Sequence, residues 1–466
     1  MSASLLEKPV KKVLLFMIVP VAIGMLTTFT FQLADTYFIG KLGTRELAAV
    51  SFAYPVYFLI VSLFIGVSSG VSSSVGKAIG ENNTKKAKTL VTVSQLFFML
   101  ITLIIGIAGY FSTKPVFSLL GASADNLLIV TNYMEIIYLG MFALVGTLIG
   151  NSALMAKGIM IESTLVMIIG GVVNLVLDYL FIFGSGQIPA MGLKGAALAT
   201  VISWGITLFL MNGLLIKENL LSFASFNSVK EIIKGIKEIL TIGMPAVAAQ
   251  ILNPIAIAVI TRMVANYGDR TVAAYGIVTK IESLGLTGIL SLSAILTPVV
   301  AQNFGAKIQH RLDEILVYSW KITVYWCVIL YIILFFFSGM IGSVFNDHPE
   351  IIQNIKYYFL IVGISFPWFG LALIRASFFN GVYQPKESLR LTLIKSMALT
   401  IPLVIIGSFI GITGIWMGLA ISNIASAIYA DKLLTSWLIK NNSSLPGHSR
   451  LSFFIDDFKK LKNRLI

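Results

Sequence analysis

Long apolar stretches recur along almost the whole chain. Each is about 20 residues long, which is enough to cross about 30 Å of hydrocarbon as an α-helix. Only helices and closed barrels satisfy their backbone groups inside a bilayer, and these stretches have helical length. The sequence therefore predicts an all-α integral membrane protein with twelve transmembrane helices, near residues 13–38, 47–75, 89–112, 127–153, 160–184, 192–216, 237–264, 272–300, 315–341, 352–377, 388–410 and 413–439.

Composition excludes several other classes of protein. Of the 466 residues, 57% are hydrophobic and 12% charged, which leaves no room for a soluble catalytic domain. The net charge of +13 comes from Lys and Arg in short polar segments, without the basic face that binds nucleic acid. Cys327 is the single cysteine, and His310, His348 and His448 lie far apart. We therefore expect no enzyme activity, no cofactor, no metal site and no nucleic-acid partner.

The distribution of basic residues predicts the topology. With a cytoplasmic N-terminus, about 22 Lys and Arg fall in internal segments and about 6 in external ones, as the positive-inside rule requires. Both termini are therefore expected in the cytoplasm. Lys8, Lys11 and Lys12 precede an apolar stretch that is too long for a signal peptide and ends in no cleavage site, so it is interpreted as a retained helix.

An internal repeat divides the chain. The segment Gly43 to Ala49 (GTRELAA) recurs as Gly268 to Ala274 (GDRTVAA), an offset of 268 − 43 = 225. At the same offset Pro20 matches Pro245, and Gly80 matches Gly305. Because each half has an even number of spans, the halves should be related by an axis along the membrane normal, with the substrate path between them. The repeat predicts two pseudo-symmetric six-helix bundles.

The predicted domains follow from this repeat. Residues 1–216 form an N-terminal lobe, 217–238 a cytoplasmic linker and 239–440 a C-terminal lobe. The basic tail, 441–466, is interpreted either as an amphipathic segment on the membrane surface or as a partly disordered end.

Two aspartates stand out within predicted spans, where a charge costs roughly 2.5–3.5 kcal/mol. They are Asp35 in the first span and Asp178 in the fifth, and neither span offers a basic partner. Asn174, one turn before Asp178, is placed to hydrogen-bond that carboxyl group, and Gln32 shares a face with Asp35. Two carboxyl groups in a low-dielectric pocket cannot both stay ionised cheaply, which predicts a proton switch. An all-oxygen site also suits Na⁺, so both coupling ions stay open.

The acid pair belongs to the first half alone. At the 225 offset Ile260 stands opposite Asp35, and no acid in span eleven matches Asp178. A purely structural role, such as pairing with a buried cation, would more naturally have survived in both halves.

The second half has charges of its own. Lys280 and Glu282 lie in span eight, Arg375 in span ten and Lys395 in span eleven. Lys280 and Glu282 are two residues apart and so point in different directions on a helix. A network of Lys280 and Glu282 with Arg375 or Lys395 is predicted, serving either structural pairing or function.

Pro20 removes a backbone hydrogen bond deep in the first span and permits a kink. It is interpreted either as a hinge that moves with the protonation of Asp35 or as a fixed bend. Its repeat mate Pro245 favours the fixed bend.

Over about residues 10–440 the chain resembles the multidrug and toxic compound extrusion (MATE) transporters. The resemblance rests on the two bundles, on Gly-x-Arg-x-x-Ala-Ala after the first span, on Gly195 to Thr200 (GAALAT) opening the sixth, and on the acid of the first span with the Asn-x-x-x-Asp pair of the fifth. The last feature is similar to the DinF-type branch. The NorM branch uses acids in helices seven and ten, which residues 243–264 and 357–379 lack here.

The resemblance implies a multidrug efflux antiporter of a bacterial inner membrane, monomeric and H⁺-coupled, that exports organic, often cationic and amphipathic compounds by alternating access. It implies coupling at Asp35, Asn174 and Asp178 and bending of the first helix at Pro20. It also places Gln32, Tyr37, Asn151 and Thr200 around one substrate cavity. The alternatives are Na⁺ coupling and a lipid or lipid-linked saccharide flippase, although a flippase would need several cavity cations that the first half lacks.

Overall fold

The computed structural model describes residues 5–122, 124–222, 229–345 and 348–441. These ranges are almost wholly helical, and the one β-bridge within them joins Ser185 to Ile188. The tail beyond Asn441 and residues 223–228 of the predicted linker lie outside the described residues. The helices are α1 (Val10–Leu42), α2 (Thr44–Gly80), α3 (Thr84–Leu119), α4 (Ala124–Lys157), α5 (Ile161–Phe183), α6 (Leu193–Lys217), α7 (Val229–Ala265), α8 (Asp269–Gly285), α9 (Thr287–Gly305), α10 (Gln309–Phe345), α11 (Pro349–Ile361), α12 (Phe366–Gly381), α13 (Pro385–Leu393), α14 (Ile401–Ser408) and α15 (Ile412–Lys440).

Within the described ranges, twelve helical stretches are long and apolar enough to cross a membrane, which confirms the predicted number of spans. Span ten combines α11 and α12 across a 3₁₀ turn, and span eleven combines α13 and α14 across a π-helical segment, Ile394–Thr400. The predicted eighth span consists of two helices, α8 and α9, interrupted at Leu286. The protein is therefore an all-α membrane protein.

The repeat seen in the sequence is also present in the backbone. Adding 225 to the bounds of α2 gives 44 + 225 = 269 and 80 + 225 = 305, the first residue of α8 and the last of α9. The turn residues match as well: Gly43 and Gly268 have φ of 142° and 95°, and Asn82 and Lys307 have φ of 55° and 58°. The two halves thus share this part of the fold, but the break at Leu286, the 3₁₀ turn of span ten and the π-helical segment of span eleven have no counterpart in α2, α4 and α5.

Successive spans alternate in direction, so α1 begins and α15 ends at one face of the bundle. We call this the terminal face and the other the opposite face. The two halves meet closely toward the terminal face. A Cβ atom on Gly66 of α2 would lie 2.4 Å from the backbone of Val247, and one on Gly80 would lie 2.0 Å from the carbonyl oxygen of Gln302. The side chain of Gln302 in turn donates to the carbonyl of Ala156 at 2.9 Å.

Nearer the opposite face the same surface of α2 is uncovered. Leu59 and Pro55 precede Gly66 by about two and three helical turns and so share its face. Both side chains are exposed, whereas Gly66 packs against α7. A cleft therefore separates the halves and opens toward the opposite face.

Helix α1 packs on both halves. Its first two turns, including Val10, Leu14 and Met17, are buried in a cluster with Leu292 and Leu312 of the second half. Arg311 of α10 holds the preceding segment, because its guanidinium donates to the carbonyls of Leu5 and Lys8, both at 2.9 Å. Beyond these turns α1 packs against α5 of the first half.

Candidate functional site

The register between α1 and α5 brings the predicted acids to one level. A Cβ on Gly171 would lie 2.0 Å from the ring of Phe31, and one on Gly24 would lie 3.2 Å from Thr164. Both pairs are 140 residues apart (171 − 31 and 164 − 24), so the helices run parallel in constant register. This register sets Asp35 beside position 175, within one turn of both Asn174 and Asp178.

The acids are enclosed but not hydrogen-bonded by the protein. Asp178 is 1% exposed, and neither of its carboxylate oxygens has a partner among the described residues. Asp35 Oδ1 and Asn174 Nδ2 are buried without a partner as well. The predicted hydrogen bond from Asn174 to Asp178 is therefore wrong, since one turn of spacing brings the side chains to one face without orienting them. Unsatisfied buried polar groups cost about 1–3 kcal/mol each, so four in one place are typical of a site that binds something.

Two tyrosines complete the pocket. Asp35 and Asp178 are close enough to interact electrostatically, and Tyr133 of α4 interacts with both. Tyr57 of α2 interacts with Asp35, and its ring stacks on Trp204 of α6 at 6.2 Å between centroids. Helices α1, α2, α4, α5 and α6 thus surround the pocket. No sequence signal singles out these two among 16 tyrosines.

Three of the predicted substrate contacts lie near this level. Gln32 is exposed, Tyr37 is 60% exposed, and the Nζ of Lys41 lies 5.2 Å from the centre of the Tyr37 ring. Thr200 is partly buried on α6, where its hydroxyl donates to the carbonyl of Ala196 at 2.9 Å. These residues provide polar and aromatic contacts close to the acids.

Asn151 does not belong to this group. It lies near the end of α4 at the terminal face, where Ser163, at the start of α5, donates to its amide oxygen. Ser163 precedes Asp178 by 15 residues along α5, which is about 22 Å of helix. The single cavity shared by Asn151, Thr200 and the acids is therefore wrong for this structure, and substrate contact at Asn151 stays a prediction for the terminal side.

The charges of the second half form two separate pairs. Glu282 accepts a hydrogen bond from the hydroxyl of Tyr358 at 2.7 Å. It also interacts electrostatically with Lys395. Arg375 instead forms an ion pair with Asp431 of α15 and is almost fully buried. The predicted network of Lys280 and Glu282 with Arg375 is therefore wrong, whereas Lys395, the other predicted partner, is present. The Nζ of Lys395 also lies 3.9 Å from the centre of the Phe369 ring.

Pro20 lies where α1 passes from one packing partner to the other. Met17 and Ile18 are buried with the second half, whereas Gly24 and Phe31 contact α5 of the first. Beyond Pro20, Met25 still reaches Ser291 of the second half. The hydroxyl of Thr164 on α5 donates to the carbonyl of Pro20 at 3.3 Å, and α1 remains helical throughout. Pro20 has no backbone N–H, so one hydrogen bond of α1 is not formed at this junction. The helix can therefore bend there as a hinge would.

Pro20→Ala is expected to straighten and stiffen α1, because it restores a donor whose loss costs about 3 kcal/mol in a helix interior. We expect several-fold slower transport together with a higher melting temperature. Pro245→Ala is the matched control on α7. Equal slowing by both variants would favour a fixed bend common to the halves over a hinge in α1.

The fold and site define a class of protein. A duplicated twelve-span bundle, a cleft between its halves and a partly unsatisfied polar pocket within one half are features of a secondary transporter, not an enzyme. The MatE family model matches residues 20–180 and again residues 245–406, an offset of 245 − 20 = 225 that coincides with the repeat. The chain belongs to the MatE family.

Known relatives align with nearly the whole chain. It is 36% identical over 426 residues to the FAD transporter of Shewanella oneidensis, covering 91% of this chain and 94% of that one. It is 24% identical over 425 residues to the multidrug export protein MepA of Staphylococcus saprophyticus, covering 91% and 92%. A crystal structure of a mutant of the Vibrio cholerae MATE transporter VcmN shares the fold, with a TM-score of 0.88, 24% identity and coverage of 92% and 97%.

Proposed function

We propose that this chain is a proton-coupled antiporter that exports organic, often cationic and amphipathic compounds by alternating access. The observation that carries the proposal is the enclosed pair Asp35 and Asp178, with buried oxygens that accept no hydrogen bond from the part of the chain that the structure describes. In this proposal residues 1–216 and 239–440 act as two lobes joined by residues 217–238. The terminal face is cytoplasmic, the membrane is a bacterial inner membrane, and the monomer is the working unit.

The coupling follows from the energy of buried charge. Two adjacent carboxylates in a low-dielectric pocket repel each other, so binding a proton or a cationic compound relieves the same cost. Proton and substrate then compete for Asp35, Asp178 and Asn174. Transport requires that each bind the two conformations with different affinity. In this proposal, the conformation with the cleft open toward the opposite face is the one that releases the substrate.

Sodium coupling at the same acids is the nearest alternative. The carboxylate oxygens of Asp35 and Asp178 and the amide oxygen of Asn174 are ligands that a hard cation accepts. Among the described residues no group of three or more His, Cys, Asp or Glu side chains is placed to hold a metal ion. A sodium ion would therefore need water or the substrate to complete its shell.

Reconstitution in liposomes separates the two ions. Under a pH gradient alone, we expect ethidium transport by the protein and none by empty liposomes. Under a sodium gradient alone, with pH equal on both sides, we expect no transport above the empty control. Transport driven by sodium alone would replace the proton with Na⁺ as the coupling ion.

A second candidate substrate comes from the relative at 36% identity, which is named a FAD transporter. A flavin dinucleotide is an aromatic anion, and the second half contributes the exposed Lys280 as a cation. FAD trapped in the same liposomes tests this candidate directly. A lipid-linked saccharide flippase has less support, since no cation pairs with the acids of the first-half pocket in the described part of the chain.

A further inference from the structure

Helix α8 has a stripe of exposed residues that are mostly small or polar. This composition is not typical of a surface that faces lipid. Ala273, Gly276, Lys280 and Ser283 are all exposed and follow one another at helical spacing. Glu282, in contrast, points into the second half toward Tyr358. Small and polar side chains are therefore left uncovered around the lysine, and Leu284, one turn further on, is the large apolar residue that is exposed beside them.

The exposed side of α10 shows what a lipid-facing surface of this protein looks like. Its uncovered residues are large and apolar, among them Ile329, Ile333, Phe336 and Met340. Lys280 lies 11 residues into the eighth span, about 17 Å from its start at the opposite face. A charge at such a position normally faces a water-filled cavity rather than hydrocarbon.

The repeat identifies that cavity as the cleft between the halves. Lys280 is equivalent to Pro55 on α2, since 280 − 225 = 55. Pro55 lies on the exposed continuation of the face that packs against the second half at Gly66. The position equivalent to Gly66 in the second half, Ser291, likewise reaches the first half, because its hydroxyl lies 3.5 Å from the Sδ of Met25. Both stripes therefore face the cleft.

On α2, the stripe at the equivalent position contains Pro55 where α8 has Lys280. Exposed aromatic rings flank this stripe. Tyr54 and Phe58 are exposed and stacked on each other, with centroids 5.8 Å apart and planes 15° from parallel. Exposed aromatic faces bind other planar rings, and a lysine recognises a phosphate or carboxylate as a point charge. The two walls of the cleft thus differ in chemistry at equivalent positions.

We propose that Lys280 binds an anionic group of the transported compound in the cleft, while Tyr54 and Phe58 pack against its aromatic part. The substrate class is an aromatic molecule that carries a phosphate or carboxylate. This inference rests on the proposed transport function and concerns its second candidate substrate, an aromatic anion, and not the cationic compounds. It gives the second half a role in substrate selection that is separate from the acids of the first half.

Riboflavin 5′-phosphate and riboflavin are the probes, because they share one ring system and differ by the phosphate. Uptake of each into liposomes under a pH gradient is compared for the wild type, Lys280→Gln and Lys280→Arg. Lys114→Gln is the matched control, since Lys114 is exposed on α3 near the same face, beside the exposed Phe111. Equilibrium binding of both flavins to the purified protein is measured in parallel.

Lys280→Gln is expected to raise KM for riboflavin 5′-phosphate about ten-fold, as for the loss of one charge-assisted contact, and to weaken binding equally. Riboflavin and ethidium should be unaffected, Lys280→Arg should stay near the wild type, and Lys114→Gln should change nothing. Equal effects on both flavins, or none on the phosphate, would overturn the proposal. If the wild type moves ethidium but neither moves nor binds the phosphate, this inference fails and the proposed function stands. If the wild type binds riboflavin 5′-phosphate through Lys280 but transports no compound, the proposed function fails and this inference stands.

Discussion

Asp178→Asn is expected to reduce ethidium export driven by a pH gradient to the level of empty liposomes. Asparagine resembles the protonated carboxyl group in shape and cannot release a proton, so the variant would be held in one protonation state. Because no group among the described residues hydrogen-bonds the Asp178 oxygens, the substitution removes no hydrogen bond there. Folding should be unharmed, and the melting temperature and membrane abundance should match the wild type. Asp35→Asn is expected to behave in the same way.

The matched control is Asp269→Asn, which removes an exposed acid at the start of α8. It should transport as the wild type does. Asn174→Ala should give an intermediate loss, since it removes a polar neighbour but neither titratable group. Full transport by both Asp35→Asn and Asp178→Asn would exclude these acids from coupling. Loss of transport accompanied by loss of folded protein would instead assign them a structural role.

Gly66→Leu is expected to abolish transport by a different route, through the conformation of the whole bundle. A Cβ at this position already meets the backbone nitrogen of Val247 at 2.4 Å, and a backbone contact cannot rotate away. The side chain would force α2 and α7 apart where the two halves seal the terminal face. Overpacking typically costs about 1–3 kcal/mol, enough to shift a two-state equilibrium by about five- to 150-fold.

Cysteine labelling measures this shift. Cys327 is fully buried, so a reporter at Ala156, whose carbonyl accepts from Gln302 between the halves, can be labelled selectively. Gly66→Leu should increase labelling of Ala156→Cys by at least about five-fold. Gly213→Leu is the control, since a Cβ on Gly213 has no neighbour within 4 Å. Unchanged labelling and transport in Gly66→Leu would show that the seal at the terminal face lies elsewhere.

Hydropathy and the repeat predicted most of the fold. A membrane span must satisfy its own backbone, so span number is a local property that apolar length reveals. The repeat was readable because Gly43 and Gly268 occupy equivalent turns with positive φ, where glycine is preferred. The break at Leu286 was not predicted, because residues 272–300 were interpreted as one span that contains Lys280 and Glu282.

The acids of the site were predictable, but their surroundings were not. Asp35 and Asp178 stand out because charge is costly in a span, whereas Tyr57 and Tyr133 are recognised only by how five helices pack. The position of Asn151 could have been read from the sequence, since it lies six residues from the end of α4 at the terminal face. Counting residues from each span end would have separated it from Asp178.

The partner of Arg375 in its ion pair could not be predicted from the sequence, for a different reason. Asp431 lies in the last third of α15, where a single acid on a long helix is not exceptional. Only the packing of α12 against α15 brings it to the guanidinium. Partners 56 residues apart in sequence (431 − 375) therefore needed the structure to be matched.

Proton release on substrate binding tests the coupling most directly. Ethidium is added to the purified protein in a weakly buffered solution, and the pH change is followed for the wild type and Asp178→Asn. Competition between proton and substrate at the two acids predicts acidification by the wild type and none by the variant. Binding of ethidium without proton release in the wild type, or equal release by both proteins, would contradict it.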